Sequence, residues 1–458
     1  MSTHTMAYNF KQTAGRGLRP LQRVPALVAA IVLPLAACNT DRILNVDDPD
    51  VVLPTSIQNA EGLPSVRAAA IGDFAVAFSG TSVTEGQVLT SGLLADEWLA
   101  SGTFPTRVEV DRRDITVENG TMQGVFRNLM RARTTAERGA ELFTQFGANT
   151  AGHAEVLNLA GFTFVLTGEN YCSGVPFSTA NPDGSFTFGA PESTTQIFQR
   201  ALARFDAALA AATTANNADQ INLARVGRGR ALLNLGRFAD AATAVRDVPN
   251  GFVYNITHSE NSGRQNNGVF VFNTIVKRWS ISNREGGNGL PFREDQARVP
   301  NTRTAFGFDR ATPHFTLLKY PNRSAPIPLA SGLEARLIEA EAALRANNAA
   351  TFLTGINAAR AAFAGSSLTA LTAADVTAAG GDVNLLFRER AFLMYSTSHR
   401  LGDLRRLIRQ YGRNSEAVFP TGAFFKGGNY GEDVNFPVPV DEENNESFDR
   451  SQCDTRRA

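Results

Sequence analysis

An all-α scaffold of paired helices, carrying one large irregular loop-rich face and minor β-structure, is the fold class that the 458-residue sequence predicts. Two observations predict it. Apolar residues recur at helical spacing in a series of Ala- and Leu-rich stretches, several joined by short turns to form hairpins. Between them lie two long Gly/Asn/Pro-rich segments, Asn250–Pro328 and Thr421–Ala458, too long to be simple connections in a compact domain.

The chain opens on residues 1–37 with Lys11, Arg16, Arg19 and Arg23 and no acidic residue, followed by an apolar run from Val24 to Ala37. A basic stretch, an apolar stretch and small residues before a cleavage point read as a secretory signal. The apolar run carries Pro25 and Pro34 and falls short of the ~20 residues a bilayer-spanning helix needs. It ends in Leu35-Ala36-Ala37-Cys38, which resembles the bacterial lipobox. That resemblance implies lipidation at Cys38, several acyl chains giving stable anchoring where one would be marginal. Residues 38–54 are polar and Pro/Asp-rich, as a lipidated tether should be. Residues 55–458 are then the helical ligand-binding domain.

Helices are expected at Ile57–Phe78, Gln123–Phe146 and Ala154–Thr167 from their amphipathic spacing. Ser193–Ala212 follows a capping sequence and presents Ile197, Leu202, Phe205 and Leu209 on one side. Asn222–Leu235 and Arg237–Val248 are separated only by Gly236, a tight helical hairpin. Gly229, Leu232, Gly236, Phe238 and Ala241 fall in tetratricopeptide (TPR) register, where small residues let two helices approach and an aromatic fills the gap. Glu334–Phe363 repeats the layout, and Ala154–Gly168 supplies half of another hairpin. The spacing between hairpins is irregular, so no regular solenoid is expected. A last helix is expected over Leu385–Tyr411, and Gly268–Ile275 is the one strand expected inside the first long loop.

Lys+Arg and Asp+Glu are balanced at 44 each, so loss of the basic leader leaves a mildly acidic protein. No basic run or aromatic-interleaved basic stripe points to nucleic acid. The five histidines and three cysteines show no helical metal spacing or Cys-x-x-Cys, so no metal or other cofactor is expected. Cys172 and Cys453 remain after Cys38, and in an oxidising compartment they are a disulfide candidate. No nucleophile elbow or P-loop is present. Asp96-Glu97 beside Trp98 does not make a glycosidase pair, because adjacent carboxylates on a helix or strand point apart. No catalytic residue is assigned, and the protein is not expected to be an enzyme.

Binding fits better. Sugar sites combine an aromatic platform with fixed polar groups. Trp98, Trp279, Tyr171 and Tyr254 are the candidate platforms, with Arg107 and Arg278 as candidate donors to hydroxyls or to an acidic ligand.

Five motifs, in order, carry a family resemblance. They are Ile43-Leu44-Asn45-Val46-Asp47-Asp48-Pro49; the helix from Ala154-Glu155 through Ala160-Gly161-Phe162 into Gly174-Val175-Pro176; and Leu337-Ile338 with Ala340-Glu341-Ala342, backed by Ile356-Asn357 and Arg360. The other two are Glu389-Arg390 with Arg400, Asp403-Leu404 and Arg406, and Phe436-Pro437-Val438-Pro439 with Glu442 and Asn444. Together they resemble the SusD/RagB-like nutrient-binding lipoproteins. The departures are Leu393 and Thr397 in place of acids and Ser398 in place of glycine. Glu389, Arg390, Arg400 and Asp403 are read as charges that pair within the fold. The resemblance implies an outer-membrane lipoprotein that binds a glycan or peptide and passes it to a TonB-dependent β-barrel transporter. The alternative is a TPR-type scaffold organising envelope proteins, with its aromatic residues internal. An exposed aromatic patch on the Asn250–Pro328 face would favour capture of a small ligand over the scaffold.

Overall fold

The computed structural model describes residues 58–181, 185–365 and 367–458, all within one unit, Leu53–Ala458. The signal segment, the tether and Cys38 lie outside the described residues. The architecture is predominantly α-helical. Its main helices are α1 (Leu63–Ser79), α2 (Gln87–Leu94), α3 (Pro105–Asp111), α4 (Gly120–Phe146), α5 (Ala151–Asn170) and α6 (Thr194–Thr214). These are followed by α7 (Ala218–Asn234), α8 (Phe238–Val245), α9 (Gly332–Arg345), α10 (Ala349–Ala362), α11 (Asp382–Leu393) and α12 (Arg400–Tyr411). Among the described residues no helix is long and apolar enough to cross a membrane.

The hairpins expected from sequence are present as α5–α6, α7–α8 and α9–α10, each packed helix on helix. Helix α5 is the central one, buried on all sides from His153 to Asn170, so the helix expected from amphipathic spacing has no solvent face over that range. Small residues set the spacing around it. The ring of Phe205 on α6 lies where a side chain on Gly161 of α5 or Gly227 of α7 would stand, 2.6 and 2.3 Å from the would-be Cβ. Gly229, the small residue of the TPR register, meets Val245 of α8 in the same way. Each fully buried Leu or Phe in such a core contributes roughly 1.5–3 kcal/mol. Ser193 caps α6 in a reciprocal capping box with Gln196.

Two expectations are corrected. Gly268–Ile275 is not a strand but a short α-turn, Gly268–Phe270, running into a π-helical turn, Val271–Ile275. A short continuous apolar run does not distinguish a buried strand from a buried helix. Here the Asn267 side chain accepts from the Phe270 N–H and starts a helix. The expected helix Leu385–Tyr411 is two, α11 and α12, broken at 394–399, where Ser396 and Ser398 have φ of 57° and 60°. Ser398 thus holds a left-handed backbone at the position where the family pattern places glycine. Its hydroxyl lies 3.0 Å from that of Ser91, a bond glycine would forfeit.

The long loop is organised by short antiparallel ladders. β1 (Trp98–Ala100) pairs with β3 (Trp279–Ile281), and β2 (Val253–Ile256) pairs with β6 (Ile327–Ser331). β4 (Asn301–Phe306) and β5 (Pro313–Leu317) form a hairpin tied to β3 through Ser280, whose hydroxyl accepts from the Phe315 N–H at 2.9 Å. Cys172 and Cys453 are disulfide-bonded across 281 residues of sequence, tying the C-terminal segment to the end of α5.

The charged motif residues meet in the scaffold interior. Arg406 of α12 pairs with Glu341 of α9 and donates to Asp403 at 2.8 Å, while Arg390 of α11 donates to Asp403 at 2.8 Å. Glu389 accepts from Arg360 of α10 and from Arg298, at 2.5 and 2.9 Å. Arg400 reaches Asp96 at 3.3 Å. Arg405 donates to the carbonyls of Gly168, Glu169 and Tyr171, a cation at the C-terminal end of α5 where the helix dipole favours it. Burial alone would raise the Asp403 carboxyl, but Arg390 and Arg406 hold it well below the ordinary carboxylate range.

Candidate ligand-binding site

Three loops converge beside the N-termini of α3 and α4. Ser101 donates its N–H to Arg278 O at 3.0 Å and its hydroxyl to Lys277 O at 2.9 Å. At the tip of the β4–β5 hairpin, the Phe308 N–H donates to Lys277 O at 2.8 Å and the Asp309 N–H to Ser101 O at 3.0 Å. Gly307 makes this approach possible, since a Cβ there would stand 2.4 Å from Ser101. Lys426, from the C-terminal segment, pairs with Asp309 and closes the clamp.

Held in this way, a file of guanidinium groups and phenylalanine rings runs across the loops. Arg107 lies over Phe272 at 5.2 Å and over Phe104 at 4.5 Å, and Arg278 lies over Phe104 at 4.4 Å and over Phe308 at 4.1 Å. Each cation–π contact contributes roughly 0.5–2 kcal/mol, more as it is desolvated. Phe104 and Phe308 remain 46% and 48% exposed, with Phe306 and Val83 also open to solvent. A cavity of about 380 Å³ adjoins the file, lined by Val83, Glu85, Phe104, Arg107 and Thr121.

The two arginines differ in their polar contacts. Arg107 is buried and pairs through Nε with Glu85, leaving Nη1 without an acceptor. Arg278 makes no ion pair among the described residues. Burial, then the like charge of Arg107, lowers its pKa from the ordinary value against the opposing pull of Glu85.

Arg107 and Arg278, both expected from sequence, are thus brought together. The aromatic candidates are not. Trp98 and Trp279 are fully buried in the β1–β3 ladder, with Trp98 against Tyr395 at 5.7 Å, so neither forms an open platform. Tyr171 is fully buried between Phe126 and Phe436 and accepts a hydrogen bond from Gln87. Tyr254 is half-buried and donates to Glu155 at 2.6 Å, a hydroxyl already spent on the scaffold. These four are corrected from ligand platforms to packing residues. Large aromatic surfaces contribute most when removed from water, and that outweighed their position near loops. Phe104 and Phe308 were missed because they are two among 31 Phe, and nothing in spacing separates exposed from core members. Phe104 does precede Pro105, a boundary signal for the start of α3.

Asp96 and Glu97 are buried and tied to the interior. Glu97 accepts from the Ser396 N–H at 3.0 Å, and burial pushes its carboxyl up to about 8 against that bond and Arg400. A second cavity, about 490 Å³, lies where β6 meets α9. It is mainly apolar: Lys319 donates to Tyr395 O at 2.7 Å, and Glu334 Oε1 lies 3.1 Å from His399 Nε2 with no hydrogen bond of its own among the described residues. It offers less for a polar ligand than the loop file. Among the described residues no group of three or more His, Cys, Asp or Glu is placed to hold a metal.

No family model matches the sequence. No curated protein matches it either. Solved structures do match in three dimensions. A SusD/RagB family protein from Bacteroides thetaiotaomicron superposes with a TM-score of 0.60 at 11% identity, covering 83% of this chain and 94% of that one. The chain has a SusD-like fold. Surface glycan-binding protein A from Bacteroides uniformis gives 0.61 at 12% identity, over 85% and 98% of the two chains. A SusD-like carbohydrate-binding protein from Bacteroides vulgatus gives 0.54 at 13%, over 76% and 83%. The all-α class and the SusD-like architecture expected from sequence are therefore what the chain adopts.

Proposed function

We propose that this chain is a glycan-capture protein whose SusD-like scaffold holds the Phe272–Arg107–Phe104–Arg278–Phe308 file open to an oligosaccharide. The observation that carries this reading is the half-exposed pair Phe104 and Phe308 flanking Arg278, an apolar surface with fixed donors beside it. Phe308 and Phe306 lie on the Asn250–Pro328 face, where exposed aromatics are what ligand capture requires and a purely helical scaffold does not. The names of the structural neighbours, a surface glycan-binding protein and a carbohydrate-binding protein, support the same ligand class. Capture by this file needs no bond making, so the reading is of a binder and not an enzyme.

Lipidation at Cys38 and hand-off to a TonB-dependent barrel at the bacterial outer membrane complete the reading. Tethering lid and barrel to one membrane raises their effective concentration for each other. The test is calorimetric titration of the purified chain against a panel of plant and microbial polysaccharides. Saturable binding that Phe308→Ala weakens at least tenfold is expected; absence of binding across the panel sinks the reading. Mass spectrometry of membrane-extracted protein checks the anchor, with an acylated Cys38 as the expected result.

A further inference from the structure

We infer that the site selects acidic sugars: the guanidinium edge of Arg278, framed by the exposed rims of Phe104 and Phe308, receives the carboxylate of a uronic-acid residue. This rests on the capture reading and narrows it.

Stacking is the first argument. A guanidinium covered on its face by aromatic rings keeps all its N–H groups around its edge, in the fork that matches a carboxylate in bidentate fashion. Arg278 lies 4.1 and 4.4 Å from the Phe308 and Phe104 centroids, so the two rings restrict its positions before any ligand arrives. Charge is the second. The file holds two arginines and one carboxylate, Glu85, which is committed to Arg107. Arg107 is itself buried, lines the adjoining cavity and has a donor, Nη1, without an acceptor. The nearby Asp309 is taken by Lys426. One positive charge is left over, on the group at the open end. A neutral ligand would leave it uncompensated.

Shape is the third argument, and it favours a sugar over an acidic peptide. In a hexuronate the carboxylate is bonded directly to a rigid ring with an apolar face. A pyranose seated across the two phenylalanine rims therefore delivers its carboxylate to the arginine between them with no rotatable chain to order. An aspartate or glutamate side chain has no such flat body to rest on the rims.

The experiment is isothermal titration calorimetry of the full chain at low and high salt. The probes are tetragalacturonate, tetramannuronate, the fully methyl-esterified galacturonate tetramer and a tetraglutamate peptide. At least one oligouronate is expected to bind ten or more times tighter than the ester at about 50 mM salt, a gap that narrows as screening increases. Arg278→Ala should erase that gap with only a small fall in melting temperature, and Arg278→Lys, which keeps the charge but loses the stacked fork, should restore only a minor part of it. If the ester binds as tightly as the acid, or a neutral glycan from the polysaccharide panel binds while neither oligouronate does, acid selection is overturned and glycan capture stands. Tetraglutamate binding as tightly as the oligouronates overturns the sugar assignment. No glycan of any kind binding removes the capture reading itself.

Discussion

Around α12, Arg406 is enclosed by Glu341 and Asp403, whereas on the loop face Arg278 is enclosed by two phenylalanine rings and meets no carboxylate among the described residues. Arg406 is fully buried, and Arg278 is partly out of water. The difference lies in compensation. In the scaffold, the Arg406 charge is matched within the protein, so it adds cohesion between helices and presents nothing outward. On the loop face the match is left to be supplied from outside. Substitutions in the two regions should therefore separate stability from binding.

The largest effect is expected from opening the disulfide. The Cys172→Ser, Cys453→Ser double variant releases a 281-residue loop and should lose roughly 5–6 kcal/mol of stability in chain-entropy terms, measured by urea unfolding. Next comes Arg406→Ala, which strands Glu341 and part of Asp403 in the interior and should cost about 3–5 kcal/mol by the same measurement. Neither should change ligand affinity under conditions where the variant is folded. Arg278→Ala should do the reverse, costing only about 1–2 kcal/mol for its two half-exposed cation–π contacts while weakening an acidic ligand at least tenfold. A scaffold variant that abolished binding while remaining folded would break the separation.

Protonation sharpens the same contrast inside the scaffold. Glu97 is raised to about 8 from its ordinary 4.5, so the folded chain keeps a proton that the unfolded chain loses across that window. Its contribution is present below the lower value and is lost as pH rises through the upper one. Asp403 is depressed, so its contribution is present above the ordinary aspartate range and lost on acidification. Glu97→Gln should flatten the decline between pH 5 and 8 by at least about 1.4 kcal/mol, one pKa unit's worth, in pH-dependent unfolding. The smallest effect is expected at Ser398. Ser398→Gly relieves a left-handed backbone where Ser398→Ala does not, and both lose the bond to Ser91. The glycine variant should be more stable than the alanine variant by about 1 kcal/mol in thermal melts.

The scaffold was far more legible in sequence than the site. Helix hairpins repeat apolar spacing and small-residue contacts that sequence displays directly, as at Gly229 and Phe238. The motif charges Glu389, Arg390, Arg400 and Asp403 could be read as internal pairs because they sit within helical patterns. What sequence did not show was the break at 394–399 or the helical course of Gly268–Ile275, since both depend on local capping and backbone contacts. The site was half legible. Arg107 and Arg278, named as candidate donors, are brought together, but Trp98, Trp279 and Tyr171 drew attention by chemistry and turned out to be core. Exposure of Phe104 and Phe308 is a property of how three loops meet, and no single loop carries it.

Those loops meet through main-chain bonds, from Phe308 to Lys277, from Asp309 to Ser101 and from Ser101 to Arg278. Because backbone atoms hold the junction, the outward rings and cation can be exchanged for others without unpicking it. A handful of substitutions at the hairpin tip would change what this face presents, at little cost to the helices beneath.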